Sequence, residues 1–323
     1  MTSIRLPQVV TVALNPALDQ TIEVAGLCVG AVNRAVRMQI DVGGKAINVA
    51  SCLADFGVSA AVAGQLGRDN AALFDELFQR KQIANHCCFL DGLTRINTKL
   101  VDTVSGDTTD INMPGPELTP EAATALLEQV LEQLERLVEH ADWVVLSGSL
   151  PPGMPMDAYA TMTGRAQAAG AAVLLDTSGA PLKAALATGP RLVKPNRQEL
   201  AELVHRPLDT LEAVIAAGRE VLNNAPAPEQ VVVSLGEEGA LFLTRHDALL
   251  AHPLSVAVTS TVGAGDAMVA GLVAARLEGR SLTETAQLAT AFAAAKLMRL
   301  GPHLPPPDEV RALARQVTVI PVD

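Results

Sequence analysis

One segment of this 323-residue chain places a carboxylate among glycines at the start of an apolar helical stretch. Residues 261–271 read Thr-Val-Gly-Ala-Gly-Asp-Ala-Met-Val-Ala-Gly, so Gly263, Ala264 and Gly265 lead directly into Asp266. The first amides of a helix have no intrahelical acceptor and attract anions, and glycine lets the main chain approach a ligand closely. A carboxylate beside a phosphate is badly placed unless it takes a proton. The segment therefore indicates phosphoryl transfer to a hydroxyl with Asp266 as the base; the alternative is that Asp266 only caps the helix.

Polar and glycine-bearing segments also follow several short apolar runs, at the positions where open α/β sheets bind ligands. Gly43 and Gly44 form a second glycine turn, with Lys45 and Asn48 offering charge and hydrogen bonds, and a helix is expected to begin near Asn48. The turn lacks the spacing and the Gly-Lys-Ser/Thr ending of a Walker A motif. Asp19 follows the first apolar run and could hold sugar hydroxyls or remain a solvated loop carboxylate.

Three further strand-end loops are each ambiguous. They read Ser-Gly-Ser-Leu-Pro-Pro-Gly at 147–153, Lys-Pro-Asn-Arg-Gln-Glu at 194–199 and Ser-Leu-Gly-Glu-Glu-Gly at 234–239. The last fits a nucleotide-binding turn or an ordinary hairpin equally well. Their shared position at strand ends indicates one ligand-binding edge more strongly than any single loop does.

Composition limits the class of protein. Hydrophobic residues make up 49% of the chain and charged residues 18%, which is typical of a globular protein. The net charge of −11 argues against general binding to nucleic acid or anionic membranes. The four cysteines lack metal-site spacing, so we expect reduced thiols and a cytoplasmic location. The apolar run near the N-terminus is too short for a signal peptide, and no stretch is long enough for a membrane helix.

The pattern of elements predicts an α/β fold. Short buried strands are expected at 9–14, 143–147, 172–176, 192–194 and 231–235, with helices between them, and this alternation favours a mostly parallel sheet covered on both faces. A helix should begin at Thr119-Pro120 and bury one face formed by Leu127, Val130, Leu131, Leu134 and Val138. Residues 21–24 with 34–42, and 94–102 with 108–113, resemble antiparallel ribbons. We interpret these ribbons as a small lid sheet; the alternative is that they extend the central sheet. A final helix is expected near 308–315.

Five motifs in this order resemble the ribokinase/PfkB family of sugar kinases: Gly-Gly-x-x-x-Asn, Ser-Gly-Ser-Leu-Pro-Pro-Gly, Lys-Pro-Asn-x-x-Glu, Ser-Leu-Gly and Gly-Ala-Gly-Asp. The resemblance runs from Asn15 to about Gly301, and the segments at 15–19, 32–34, 94–99 and 109–116 are most similar to its sugar-phosphate branch. It implies a ribokinase-like three-layer α/β/α fold. Residues 1–323 would form a single kinase domain, with lid strands at about 21–42 and 94–113 inserted in it.

The resemblance also implies a role for each motif. Asp266 would be the general base, and the main chain of Gly263, Ala264 and Gly265 would form the anion hole. The residues implied to hold the sugar phosphate are Asp19, Gly43, Gly44, Lys45, Asn48, Arg95, Lys99 and Ser149, with Arg34 as a further candidate for its phosphate. Those implied to line the ATP channel are Lys194, Asn196, Ser234, Gly236 and Gly239. Glu199, together with Asn196, would order Mg²⁺ through water.

The activity implied is ATP-dependent phosphorylation of D-fructose 1-phosphate to fructose 1,6-bisphosphate. Tagatose 6-phosphate and fructose 6-phosphate are alternative acceptors, and a non-catalytic sugar-phosphate-binding regulator is the alternative from another class. The lid would also form a homodimer face. Relatives commonly have glycine where this chain has Ala46, a change that costs about 1 kcal/mol at positive φ but not in a helix. With one Trp and one Tyr in the chain, adenine is expected to contact aliphatic groups.

Overall fold

The computed structural model describes residues 6–323. Its strands are β1 (Val9–Ala13), β2 (Ala17–Val24), β3 (Ala35–Gly43), β4 (Ala60–Gly67), β5 (Ala84–Leu90), β6 (Ile96–Asp102), β7 (Thr108–Ile111), β8 (Trp143–Ser147), β9 (Ala172–Asp176), β10 (Leu192–Val193), β11 (Gln230–Ser234), β12 (Ala240–Leu243), β13 (Ala248–Ala251) and β14 (Val319–Pro321). Its α-helices are α1 (Lys45–Asp55), α2 (Ala71–Lys81), α3 (Pro120–Val138), α4 (Ala158–Ala168), α5 (Gly179–Leu186), α6 (Arg197–Val204), α7 (Leu211–Asn223), α8 (Ala264–Leu277), α9 (Leu282–Leu297) and α10 (Pro307–Ala314).

The central sheet has the order β14-β13-β12-β11-β10-β9-β8-β1-β4-β5. The seven neighbouring strands from β11 to β5 in this sheet order are parallel, and β12, β13 and β14 extend the sheet antiparallel beyond β11. All five predicted core strands are present, with ends that differ by at most one residue. Because the chain runs from β1 to β4 on one side and later to β8 on the other, the strand order reverses at β1. Ligands bind beside the carboxyl ends of strands at such a reversal.

Helices cover both faces of this sheet, as the alternation predicts. Side chains of α1, α2, α8, α9 and α10 share one core with the sheet, while α3, α4 and α5 pack on the opposite face, which α6 and α7 extend towards β11 and β12. Among residues 6–323, every helix falls short of the length or the apolarity that a membrane crossing requires.

Helix α3 begins as predicted, and its buried face differs from the prediction by one position. The Thr119 hydroxyl accepts the Ala122 amide at 3.3 Å, and Pro120 occupies the first helical position. Leu126 and Leu137 are buried, whereas Leu127 and Leu131 lie half-buried at the margin; the other three predicted residues are buried. The final helix, α10, begins one residue before its predicted start.

The two ribbons form a separate four-stranded sheet of order β3-β2-β6-β7, which confirms the predicted lid. Pairing is antiparallel within each ribbon and parallel between β2 and β6. The polar face of this sheet lines a cavity over the central sheet's carboxyl edge. We call the opposite side the outer lid face; it carries Ile22, Val36, Met38, Ile40, Leu100 and Ile111.

Helices α8 and α9 pack closely because α8 carries a glycine at their crossing. A Cβ on Gly271 would lie 2.7 Å from Ala289 Cα and 2.9 Å from the Phe292 ring. Residues 266–275 of α8 are buried throughout. Helix α8 is therefore fixed in the core, and its N-terminal turn has a fixed position beside the strand ends.

Candidate active site

The first turn of α8 presents main-chain donors, as the glycine segment predicts. Gly263 precedes the helix at φ 80°, a left-handed conformation that glycine adopts without strain. The first helical hydrogen bond is the one donated by the Ala267 amide to the Gly263 carbonyl. The amides of Ala264, Gly265 and Asp266 precede this bond, so they have no intrahelical acceptor and are available to an anion.

The Asp266 side chain is buried and does not cap its helix. It accepts a hydrogen bond from Asn48 Nδ2 at 2.8 Å through Oδ2, and no side-chain capping bond forms at this helix start. Burial raises the pKa of Asp266 to about 6, and the nearby Asp176 adds to the rise, while Lys45, Asn48 and Lys194 oppose it. A carboxylate with this pKa is ionised at neutral pH and binds a proton readily. The geometry thus favours the base over the cap.

Asp176, at the end of β9, is a site residue that the sequence reasoning missed. Its carboxylate is buried, lies 3.0 Å from Lys194 Nζ and 3.5 Å from Lys45 Nζ, and accepts the Ser147 hydroxyl at 3.1 Å. Burial alone would raise the pKa of Asp176, but the two lysines outweigh it and hold the pKa below its usual value. Asp176 therefore fixes both ammonium groups beside the α8 turn. Its position as the last, charged residue of an apolar strand was the available signal.

The glycine turn at Gly43 and Gly44 has a different helix boundary from the predicted one. Helix α1 begins at Lys45, directly after Gly44, instead of near Asn48. The reason is that Gly44 takes φ 97° and starts the helix itself, so the next residues are already helical. Ala46 consequently lies in a helix and carries no positive-φ strain. The pKa of Lys45 is raised, mainly by Asp176.

Asp19 lies on β2, between β3 and β6, and lines the lid cavity. Its Oδ1 accepts a hydrogen bond from Asn97 Nδ2 at 2.9 Å. Burial raises the pKa of Asp19, and Asn97 and Arg95 counteract that rise. Gly43 lies on the neighbouring strand, where a Cβ would come within 2.1 Å of Asp19 Oδ2. Only glycine at position 43 therefore leaves room for the Asp19 carboxylate.

The cationic groups predicted for the sugar phosphate are already partly engaged. Arg95 donates to the carbonyl oxygens of Asn15 at 2.9 Å, Pro16 at 3.2 Å and Met113 at 2.5 Å, which leaves two of its five N–H donors. Lys99 pairs with Asp110 on β7. Arg95 therefore organises the junction between the lid and β1 as well as facing a cavity.

Two remaining sugar-site candidates differ in their placement. Ser149 accepts a hydrogen bond from Asn15 Nδ2 at 3.1 Å at the end of β8. Arg34 lies exposed just before β3, at the end of that strand remote from Gly43.

The predicted nucleotide residues lie around the ends of β10 and β11. Asn196 caps α6 and forms a capping box with Glu199, in which each side chain accepts the other residue's amide at 2.8 Å. A parallel bridge joins Asn196 to Ser234. Gly236 and Gly239 flank the turn of the β11–β12 hairpin, so the hairpin reading is correct and leaves the nucleotide role open. Lys194 extends from this group to the first turn of α8, since its Nζ is 3.8 Å from the point where a Gly265 Cβ would lie.

Two cavities divide the candidate residues. One of about 640 Å³ lies under the lid and is lined by Asp19, Asn48, Lys99, the segment 258–262 and Lys296. The other, of about 260 Å³, is lined by Gly44, Lys45, Arg95, Ser149 and Glu199. Asn48, which bonds Asp266 at the start of α8, lines the first cavity, and Glu199, from the group around β10 and β11, lines the second.

Comparison with known proteins agrees with this arrangement. The pfkB family carbohydrate kinase model matches residues 12–309, and the chain belongs to that family. It is 47% identical over 313 residues to the 1-phosphofructokinase of Rhodobacter capsulatus, covering 97% of each chain. Phosphofructokinase-2 from Escherichia coli, solved in complex with potassium, matches at 31% identity and TM-score 0.87, with 96% of this chain and 99% of that one covered. A tetrameric inhibited form of that enzyme matches at 30% identity and TM-score 0.86, with the same coverage.

Proposed function

We propose that this kinase transfers a phosphoryl group from ATP to D-fructose 1-phosphate and produces fructose 1,6-bisphosphate. The observation that carries the proposal is the Asp266 carboxylate, whose pKa is raised to about 6 at the donor-bearing end of α8, beside the lid cavity. The 1-phosphofructokinase name of the 47%-identical relative supports the choice of acceptor. The whole chain would act as one kinase domain with the lid inserted in it.

Asp266 would accept the proton of the acceptor hydroxyl. Asn48 holds Asp266 Oδ2, which leaves Oδ1 free to receive that proton as the oxygen attacks phosphorus. General bases work best when their pKa lies near the operating pH, and the burial of Asp266 brings its pKa there. When the bond to the leaving phosphate breaks, the amides of Ala264, Gly265 and Asp266 would stabilise the charge on the transferred group.

Of the two lysines fixed by Asp176, Lys194 would supply positive charge for ATP and Lys45 would supply it for the phosphate of the acceptor. Lys194 reaches the α8 turn from the nucleotide side, and Lys45 reaches it from α1, both anchored on one buried carboxylate. Because their positions are set before any ligand binds, no reorganisation is required during transfer. Asn196 and the Ser234–Gly239 hairpin would bound the nucleotide.

The acceptor would lie under the lid. Asp19, oriented by Asn97, would take two sugar hydroxyls, while Gly43 leaves the space this requires. Lys99 in the lid cavity, together with the two unused donors of Arg95 in the smaller cavity, would bind the phosphate already on the sugar. Ser149 would contact that phosphate from the β8 end.

Magnesium fits this chain in a water-held role. Glu199 uses one carboxylate oxygen in its capping box and faces the smaller cavity, so the other oxygen is available to a hydrated ion. In residues 6–323, no group of three or more acidic, His or Cys side chains could coordinate an ion directly. Bound Mg²⁺ would neutralise phosphate charge, with Glu199 and Asn196 orienting its waters.

We further propose that two copies associate through their outer lid faces in the cytoplasm. The exposed apolar side chains of this face, including Met38 at 57% and Ile111 at 49% exposure, form a continuous surface on a two-sided sheet. A self-complementary patch of this kind suits a two-fold dimer. The four cysteines are free thiols, which fits a reducing compartment.

Turnover with three acceptors tests the proposal. Purified protein is assayed with ATP and fructose 1-phosphate, fructose 6-phosphate or tagatose 6-phosphate, in parallel with Asp266→Asn. We expect the highest kcat/KM with fructose 1-phosphate and a loss of several orders of magnitude in kcat for the variant, with sugar-phosphate affinity within a few-fold. If another acceptor gives the highest kcat/KM, that acceptor is the substrate. If the wild type binds a sugar phosphate without turnover, the protein is a regulator.

A further inference from the structure

Lys296 of α9 is a buried lysine that neither the motifs nor the proposed mechanism use. Its residue is 3% exposed, and its ammonium donates to the Arg299 carbonyl at 3.1 Å. Throughout residues 6–323, no carboxylate lies within ion-pairing distance of it, in contrast to the buried lysines at 81 and 194. Burying an ammonium group that makes only one hydrogen bond is energetically unfavourable, so its presence here points to a role toward a neighbouring group.

The position of Lys296 identifies that neighbour. A Cβ on Gly263 would lie 3.3 Å from Lys296 Cε, 3.8 Å from Asn48 Nδ2 and 3.9 Å from Asp266 Oδ2. The lysine, the base and the residue that orients the base therefore converge on one point at the start of α8. Lys296 also lines the cavity under the lid.

The end of α9 also holds the segment that leads into this turn. The Leu297 carbonyl accepts the amides of Thr259 and Ser260 at 2.7 and 3.2 Å, and the Met298 carbonyl accepts the Thr259 hydroxyl at 3.3 Å. Lys296 thus lies between the segment that leads into the first turn of α8 and the residues that follow α9. A lysine that only capped the helix could bond Arg299 from an exposed position, whereas this one is directed inward.

We propose that Lys296 is a positioning residue whose aliphatic stem packs beside the Gly263 turn and whose ammonium supplies a fixed positive charge near Asp266. The inference rests on the proposed function. Loss of the charge would leave the turn less well placed for transfer and would make ionised Asp266 less favourable. Binding of the sugar phosphate would change little, because the acceptor contacts lie on the lid and at Lys45.

Several charged or polar groups surround Asp266, and Lys296 is one of the cations. Lys45 and Asn48 approach from α1, Asp176 from β9, Lys194 from the end of β10, and Lys296 from α9. Burial lowers the pKa of Lys296, while the nearby Cys52, Asp266 and Asp41 counteract that lowering. Its removal should shift the titration of Asp266 upward, since one favourable charge is lost.

The test compares Lys296→Met, which keeps the stem, with Lys296→Arg, which keeps the charge. For Lys296→Met we expect kcat to fall about tenfold or more, KM for fructose 1-phosphate to change less than about threefold, and the acid limb of kcat to move to higher pH. Lys296→Arg should restore the acid limb and most of kcat. Lys183→Met, at an exposed site on α5, is the matched control and should behave as wild type.

Thermal unfolding of each variant separates loss of fold from loss of function. If Lys296→Met keeps the wild-type acid limb and kcat, the inference is wrong. It is also wrong if Lys296→Arg is as impaired as Lys296→Met while both are folded, because a charge role predicts rescue. Absence of turnover in the wild type would instead overturn the proposed function, so the two failures are distinguishable.

Discussion

At the scale of single residues, the role proposed for Asp266 as a base and the stability of the fold are opposed. Its carboxylate is 7% exposed and has a pKa of about 6, against 3.8 for the unperturbed group. Asp266 ionises at a lower pH in the unfolded chain than in the folded chain. Between the two pKa values the folded state binds more protons, so the free energy of unfolding falls as the pH rises. The full destabilisation is present above pH 6.

Asp266→Asn should therefore stabilise the fold at high pH. From the size of the pKa shift we expect a gain in the free energy of unfolding of about 3 kcal/mol at pH 8, shrinking towards zero at low pH, where Asp266 is protonated in both states. Urea unfolding of both proteins at pH 5 and pH 8 measures it. An equal effect at the two pH values would contradict the assigned pKa.

The same pKa predicts the acid limb of the activity. Asp266 must be ionised to accept a proton, so kcat/KM, which reports the ionisation of the free enzyme, should decrease tenfold per pH unit below a pKa of about 6 and level off above it. Steady-state kcat/KM measured across pH gives the profile. A limb near pH 4 would mean that the base is ionised far more readily than its burial implies.

Arg95 holds the junction between the lid and β1 and is also proposed to bind the phosphate of the sugar. Arg95→Ala should raise KM for the sugar phosphate more than KM for ATP, because its free donors are proposed to bind the phosphate of the sugar and its other donors hold the lid junction. Arg95→Lys should rescue little, since one ammonium cannot reproduce three divergent hydrogen bonds. Equal changes in both KM values would argue against this assignment.

The sequence predicts single residues best where the motif is local. Asp266 and its glycines form one contiguous motif, and the turn that carries Asn48 forms another. In the structure a 2.8 Å hydrogen bond from Asn48 to Asp266 joins the two motifs. Asp176 and Lys296 lie at the end of an ordinary strand and inside an ordinary helix. Their roles arise from burial beside residues distant in the chain, which local patterns do not reveal.

At the scale of elements, the β3–α1 turn depends on the absence of side chains. Gly43→Ala should displace Asp19, because the new Cβ would come within 2.1 Å of its Oδ2. We expect a rise in sugar-phosphate KM of about tenfold or more, from lost hydroxyl contacts, with KM for ATP little changed. Steady-state kinetics with each substrate varied in turn measures both constants.

Gly164→Ala is the matched control for this substitution. Gly164 lies exposed in α4 with nothing within 4 Å of the new methyl group, so alanine should leave the kinetics unchanged and stabilise the helix by about 0.5–1 kcal/mol. An unchanged KM in Gly43→Ala would show that Asp19 does not hold the sugar.

Element positions follow well from the sequence, and boundaries follow less well. The apolar runs that became β8 and β9 match the prediction residue for residue. The start of α1 was misplaced because nothing in the sequence shows that Gly44 adopts positive φ. The α3 face was misassigned by one position because the packing of α3 on the sheet selects which leucines are covered.

At the scale of the whole molecule, the lid is proposed both to enclose the substrate and to form the dimer face. Met38→Glu places a charge on the outer lid face and should convert a dimer to a monomer, because a buried unpaired charge opposes association. Sedimentation velocity at micromolar concentration measures the change. Met156→Glu, at a methionine 60% exposed outside the lid, is the control and should leave the mass unchanged. A monomeric wild type would contradict the dimer.

The strand pattern of the lid has a consequence for how such a protein can change. Cavity-facing and outward-facing positions interleave along β2 and β3, as Asp19 and Asp41 alternate with Ile22, Met38 and Ile40. Point substitutions can therefore alter one face while sparing the other. Insertion or deletion of a single residue within a strand would exchange the two faces at once. Length variation should consequently be confined to the connecting turns at 25–34 and 103–107, even where the composition of the strands drifts freely.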